Sequence, residues 1–193
     1  MSTKLRKELS RALHDEVYDV TEDGIYFPKQ GVQASGEYFD RINGGDWQRT
    51  PNLIVEEGLA HILNVALGPK AKPPGYYLAL FSGSASPQAN WTAASFAANA
   101  AEIVSLTEGY SNPTRPVWTP AETDTNAIDN MDAVASLTIA TSSELNVTGA
   151  AMLTNSTRGG TTGVLVSATK YPAARVFQDG DTYDVGYRVS LTV

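Results

Sequence analysis

Tyr183, Val185, Tyr187, Val189, Leu191 and Val193 are apolar, and Asp184, Gly186, Arg188, Ser190 and Thr192 between them are small or polar. Successive side chains of a strand point to opposite faces, so this alternation specifies a strand with one dry face and one wet face. Such a strand needs others already laid out beside it. The expected fold is therefore a β-domain closed by its last strand.

The segments before it repeat the pattern. Ala135, Leu137 and Ile139 share a face, as do Leu145, Val147, Gly149, Ala151 and Leu153, and then Val164, Val166 and Ala168. Between them lie Ser142-Ser143, the stretch around Gly159-Gly160, and Asp179-Gly180-Asp181, where Asp-Gly between alternating runs predicts a hairpin. Tyr76 to Phe81 is apolar on both faces and reads as a buried strand. Glu102 to Leu106 reads as another strand, and Tyr110 to Pro120 as a Pro-rich loop. Short strands at roughly ten-residue spacing give a mainly β fold, an antiparallel β-sandwich of jelly-roll type.

Two helices belong to this domain. One is expected over residues 53 to 67, with Asn52 as N-cap, Glu56 and Glu57 in the first turns, a stripe of Leu59, Ile62, Leu63 and Ala66, and a stop at Gly68-Pro69. Thr92 caps a second, Ala-rich one. A further short amphipathic helix is expected in residues 1 to 18, with Leu5, Leu9 and Leu13 on one stripe. Residues 19 to 51 are crowded with turn signals and aromatics and read as extended. Charge density falls after this region, which sets the expected boundary near Pro51: an N-terminal arm over 1–51 and a β-sandwich domain over 52–193. Leu5, Leu9, Leu13, Tyr26, Phe27, Tyr38, Phe39 and Trp47 are the candidate partner-binding residues, because aromatic anchors on an extended arm suit an interface.

Composition narrows the chemistry. The chain has 193 residues, no cysteine and two histidines, His14 and His61, which excludes disulfides and a His-rich metal site. A net charge of -7 argues against general nucleic-acid binding, which needs surplus cations to neutralise phosphate. No apolar run is long enough to span a membrane, and the first residues lack an apolar signal core, so a cytosolic origin is expected. No nucleophile elbow and no phosphate-binding glycine loop occurs. The acidic groups Glu122, Asp124, Asp129 and Asp132, and Asp179, Asp181 and Asp184, match no calcium-loop spacing, and turn-forming Asp is the simpler reading. The expectation is a chain with no catalytic residues, no cofactor and no metal.

Several phrases carry a resemblance when taken together. They are Asn52 to Gly68, Tyr76 to Gly83, Thr114-Arg-Pro-Val-Trp-Thr, Gly160-Thr-Thr-Gly-Val-Leu, and Ala173 to Tyr187. Their order resembles a family of small structural proteins of tailed bacteriophages, over residues 52 to 193 and without the arm. The resemblance implies a non-enzymatic virion component, a capsid decoration or cement protein or part of a collar, neck or tail-fibre attachment, assembled in the host cytoplasm. It implies other virion proteins as partners (capsid, portal or neck, or fibre subunits) and a homo-oligomer, with a trimer favoured by analogy. A carbohydrate- or receptor-binding module of a phage fibre is the alternative.

Overall fold

The computed structural model describes residues 19–21, 24–26 and 32–192. The described residues divide into two compact units between residues 33 and 34, with Thr192 belonging to the first. In the first unit, β1 (Asp19–Thr21) and β2 (Gly24–Tyr26) form an antiparallel pair. The helix expected over residues 1 to 18 lies outside the described residues.

The second unit is a β-sandwich. One sheet is ordered β4-β3-β13-β10-β7, from β3 (Gln33–Ile42), β4 (Gln48–Pro51), β7 (Gly109–Tyr110), β10 (Ala135–Ala140) and β13 (Thr182–Thr192). β9 (Ala127–Asp129) also pairs with β13. The other sheet is ordered β5-β12-β11-β6-β8, from β5 (Leu53–Ile54), β6 (Tyr76–Phe81), β8 (Val117–Trp118), β11 (Leu145–Leu153) and β12 (Leu165–Phe177). Two helices, α1 (Glu56–Ala66) and α2 (Ala93–Ala100), accompany the second sheet.

The main core lies between the sheets. Leu78, Leu80, Val147, Ala150, Met152 and Phe177 from one sheet meet Leu137, Ile139, Tyr183, Val185 and Tyr187 from the other. A second core covers the opposite face of the β6 and β11 region, where Ala79, Phe81, Ala151 and Leu153 pack against Trp91 and α2 residues Ala93, Phe96 and Ala100. β6 is apolar on both faces because both are buried. β13 keeps its alternation through Val189, but Leu191 is 49% exposed. The single face expected for β11 is broken by a register shift between Val147 and Gly149, opposite an excess of residues around Pro172 in β12. Proline has no N–H to give the ladder, so the chain loops out there.

Four further expectations are corrected. The Asp179-Gly180-Asp181 turn does not close a hairpin, because β12 and β13 belong to different sheets. It is an arch between sheets, held by Gly180 N–H to Ile139 O (3.0 Å) and Ile139 N–H to Asp181 O (2.8 Å). Glu102 to Leu106 makes only one bridge, Phe81 to Glu102, since the carbonyls of Ile103 and Ser105 accept from Arg158 instead of from a strand. Residues 110 to 120 are not all loop: Tyr110 ends β7, and Val117 and Trp118 form β8. α1 starts at Glu56 with Val55 rather than Asn52 as its N-cap, because Leu53 and Ile54 pair with Ala168 and Ser167.

The arm expected over 1–51 also ends earlier. β3 and β4 are strands of the larger sheet, and polar bonds tie β3 to the opposite sheet. Arg175 of β12 donates from Nε to Asp40 Oδ2 (2.7 Å) and from Nη2 to Asp40 Oδ1 (3.1 Å). Tyr38 bonds Ser167 Oγ (2.8 Å), and Tyr171 of β12 bonds Tyr183 of β13 (2.8 Å). Asp40 is fully buried and Arg175 is 7% exposed, with its guanidinium 4.4 Å from the Tyr171 ring centre.

Two predictions follow from this placement. Removing residues 1–31 leaves a cooperative thermal transition, whereas removing residues 1–50 takes away β3, nearly all of β4 and Asp40 and abolishes it; scanning calorimetry of both truncations checks this. Asp40→Ala leaves a buried arginine unpaired and costs about 3–5 kcal/mol in denaturant unfolding, while Asp40→Leu combined with Arg175→Met recovers most of that loss.

Candidate functional site

Of the expected partner-binding aromatics, Tyr38, Phe39 and Trp47 pack within the sandwich. Tyr38 is fully buried in the main core, 4.7 Å from the Tyr187 ring centre. Phe39 is fully buried against β13, where Gly186 leaves room for its ring: a Cβ on Gly186 would come within 2.2 Å of it. Trp47 is half-buried, edge-on to Phe39 at 5.6 Å and under the Arg41 guanidinium at 4.4 Å. These residues are spent on packing because they belong to the sandwich and its covering, not to an arm. Of the others, Tyr26 lies in β2, and Leu5, Leu9, Leu13 and Phe27 lie outside the described residues.

Four of the seven grouped acidic residues are engaged in hydrogen bonds within the domain. Asp129 accepts from Arg188 Nε (2.8 Å) and Met131 N–H (2.9 Å). Asp179 accepts from Thr141 N–H (3.1 Å), Asp181 from Gln178 N–H (2.7 Å), and Asp184 from Arg41 (2.7 Å). Among the described residues, no three His, Asp or Glu side chains converge as a metal ion would require. A groove of about 260 Å³ lies beside Asp129, Asp132 and Arg188, and one of about 390 Å³ beside Tyr77, Arg115 and Val134.

Arg115 of the second groove is already committed. Its Nε and Nη2 donate to the two oxygens of Glu102, each at 2.7 Å, and its Nη1 donates to Asn155 O (2.8 Å). Both side chains are wholly buried. Gly159 N–H adds a third bond to Glu102 (3.0 Å). Arg158 lies 3.7 Å over the Tyr110 ring and donates to the carbonyls of Ile103, Ser105, Tyr110 and Asn112. Burial pushes the Tyr110 hydroxyl up to about 12, so it stays neutral at physiological pH. Together these groups fix the β11–β12 loop to the segment after α2. They hold backbone in place and present no reactive group.

The unusual surface is on α1, which packs Ile62 on the core and also carries leucines outward. Its buried residues are Gly58 and His61. Its exposed residues include Leu59 (42%), Leu63 (60%) and, at the C-cap, Leu67 (85%). The inner side is built for close approach, since a Cβ on Gly58 would come within 2.0 Å of the Val166 carbonyl oxygen. Glu57 binds the helix start to its neighbours, accepting from Ala93 N–H (2.8 Å) and Leu165 N–H (2.7 Å). His61 Nε2 meets Tyr76 Oη at 3.1 Å. Burial and then the nearby Lys70 push its imidazole below the usual value, which favours the neutral ring. Leucines at i, i+4 and i+8 lie on one ridge of a helix, and here that ridge faces outward. Three exposed leucines in line form a contiguous apolar strip, the kind of surface that marks an interaction site.

Of the expected stripe, Ile62 packs against the main core, whereas Leu59, Leu63 and Ala66 are exposed. The sequence signal for the inner side is Gly58 and His61 at i and i+3, opposite the leucines. No family model and no curated protein matches the chain. No helix among the described residues is long and apolar enough to cross a membrane.

The two sides of α1 predict opposite responses. Gly58→Ala forces the helix off β12 and costs about 1–3 kcal/mol, whereas Leu63→Gln changes unfolding free energy by no more than about 0.5 kcal/mol. Urea denaturation of both variants checks this. At a concentration where the chain is monomeric, a large loss with Leu63→Gln would mean that the ridge serves the fold.

Proposed function

We propose that this chain is a non-enzymatic structural component of a tailed-phage virion, decorating or cementing the capsid or forming part of the collar or neck, and anchored through its N-terminal segment. The observation that carries this reading is the outward leucine ridge of α1, an apolar surface on a domain whose buried charges are engaged with one another. The family resemblance supports it. The arginine of the Thr114-Arg115-Pro116 phrase is the one buried against Glu102, and Arg175 of the Ala173 to Tyr187 phrase is the one buried against Asp40. Those phrases therefore mark scaffold positions, as expected in a family whose members share an architecture and no chemistry. The proposed partners are other virion proteins and further copies of this chain, assembled in the host cytoplasm.

A carbohydrate- or receptor-binding fibre module would display aromatics for stacking. Tyr38 and Phe39 are inside the domain, which favours assembly over sugar recognition.

Mass spectrometry of purified virions should find the chain at a fixed copy number relative to the major capsid protein. Its absence from particles sinks the proposal. Deletion of residues 1–31 should abolish incorporation while the remaining domain stays folded; truncated protein that still enters particles removes the anchoring role.

A further inference from the structure

We propose that α1 is a two-fold contact through which two copies of this chain pair with their helices antiparallel. The inference rests on the reading of the chain as an assembly protein and names one partner for its exposed ridge. The surface comprises Leu59, Ala60, Leu63, Ala66 and Leu67, all exposed. α1 has 11 residues and is about 16 Å long, enough for one helix crossing.

The sequence of this ridge closes on itself when reflected about Leu63. In an antiparallel pair centred there, Leu59 meets Leu67 of the second copy and Ala60 meets Ala66. The same reflection sets Glu56, exposed at the helix start, against Lys70, exposed just past its end. Lys70 is folded back beside the last turn by its own N–H bond to Asn64 O (3.3 Å). The pair then gains two Glu–Lys contacts related by the two-fold axis, and the helix dipoles run opposite ways. A parallel pair would oppose Glu56 to Glu56 and Lys70 to Lys70, and would align the dipoles unfavourably. Alanines at the flanks let the backbones approach, while the leucines interdigitate along the ridge. This order makes the patch complementary to itself, apolar against apolar along the ridge and Glu56 against Lys70 at its ends, which is what a second copy uses. A two-fold contact is isologous, each copy offering the same patch. It can join single chains or link larger rings built through another surface.

The absence of cysteine from the chain makes a direct test available. Leu63→Cys places one thiol at the proposed axis. Mild oxidation of the purified full-length protein should give a disulfide-linked dimer in high yield. Leu59→Cys mixed with Leu67→Cys should give the heterodimer, and Leu59→Cys alone should not cross-link. Val176→Cys, at an exposed residue of β12 (48% exposed), supplies the background. Glu56→Lys should lower pairing of the Leu63→Cys protein by about fivefold, and adding Lys70→Glu should restore it. The proposal is overturned if Leu63→Cys cross-links no better than Val176→Cys. It is also overturned if a thiol at Leu63 is captured by one placed at Leu9, since the N-terminal segment would then own the ridge. These readouts need no virion. A chain that pairs through Leu63 but is missing from particles would refute the virion reading alone, and failed pairing would leave incorporation standing.

Discussion

The bidentate bond between Arg175 and Asp40 joins the two sheets from inside. A buried guanidinium needs a carboxylate, and a buried carboxylate needs donors, so each fixes the other's position. The two residues lie 135 positions apart, on β12 and β3. Tyr171 and Arg175, on either side of the looped-out Pro172, are both buried toward that interior. The contact with Asp40 requires β3 to lie within the sheet, so the chain from Ala34 to Pro51 belongs to the larger unit. Continuum arguments give such a pair little net stability against a hydrophobic substitute. Its effect here is positional. The Tyr38–Ser167 and Tyr171–Tyr183 bonds gain their geometry from the same juxtaposition of sheets, as does Trp118 Nε1–H, which donates to Tyr187 O across the core at 2.9 Å.

The second constraint is that the β6 and β11 region is buried on both faces. One face meets the opposite sheet, and α2 with Trp91 covers the other. α1 follows the two-residue strand β5 directly, and Glu57 ties its first turn to Ala93 and Leu165. With the start of the helix fixed this way, its rotation is fixed too. Gly58 faces β12 because no side chain fits there, and His61 three residues later faces Tyr76. Helix geometry then carries Leu59, Leu63 and Leu67 outward. The exposed ridge is therefore a consequence of the tight seat beneath it, and the fold holds the leucines in register without burying them.

Much of the sandwich was legible because period-2 alternation survives in β10, β13 and part of β11. The Thr92 start of α2 was legible from its local capping chemistry; Thr92 N–H donates to Ser95 Oγ at 3.1 Å. What was not legible depends on distant partners. β3 looked like an arm because Gly36, Glu37 and Asp40 interrupt its apolar pattern, and Asp40 becomes a core residue only when Arg175 is supplied. Asp179-Gly180 announced a reversal correctly but could not say whether the next strand joins the same sheet. The run after Glu102 had strand-like alternation, yet Arg158 claims its carbonyls. The stripe on α1 had the right period, but only Ile62 of it packs on the core, since amphipathicity locates a ridge and says nothing of which side is covered. Two of the candidate aromatics, Tyr38 and Phe39, are core residues for the same reason: they sit on a strand whose membership in the sheet is decided by long-range polar bonds.

The edges of the sheets explain why an interaction surface would sit on a helix at all. An exposed strand edge offers unpaired N–H and C=O groups to any passing strand, and proteins blunt this by keeping edge strands short or interrupting them with proline. Here β5, β7 and β8 have two residues each, and β4 has four and ends at Pro51. Such edges offer few ladder bonds and therefore little specificity or affinity for strand addition. A helix ridge has different properties. Its backbone groups are satisfied internally, so the surface is attractive only to an apolar partner of matching spacing. Leucines four residues apart with alanines between them define that spacing, and the charges at the two ends define a direction. A short ridge with polar ends on a β-sandwich with blunted edges discriminates among neighbours by spacing and charge, which a bare strand edge does not.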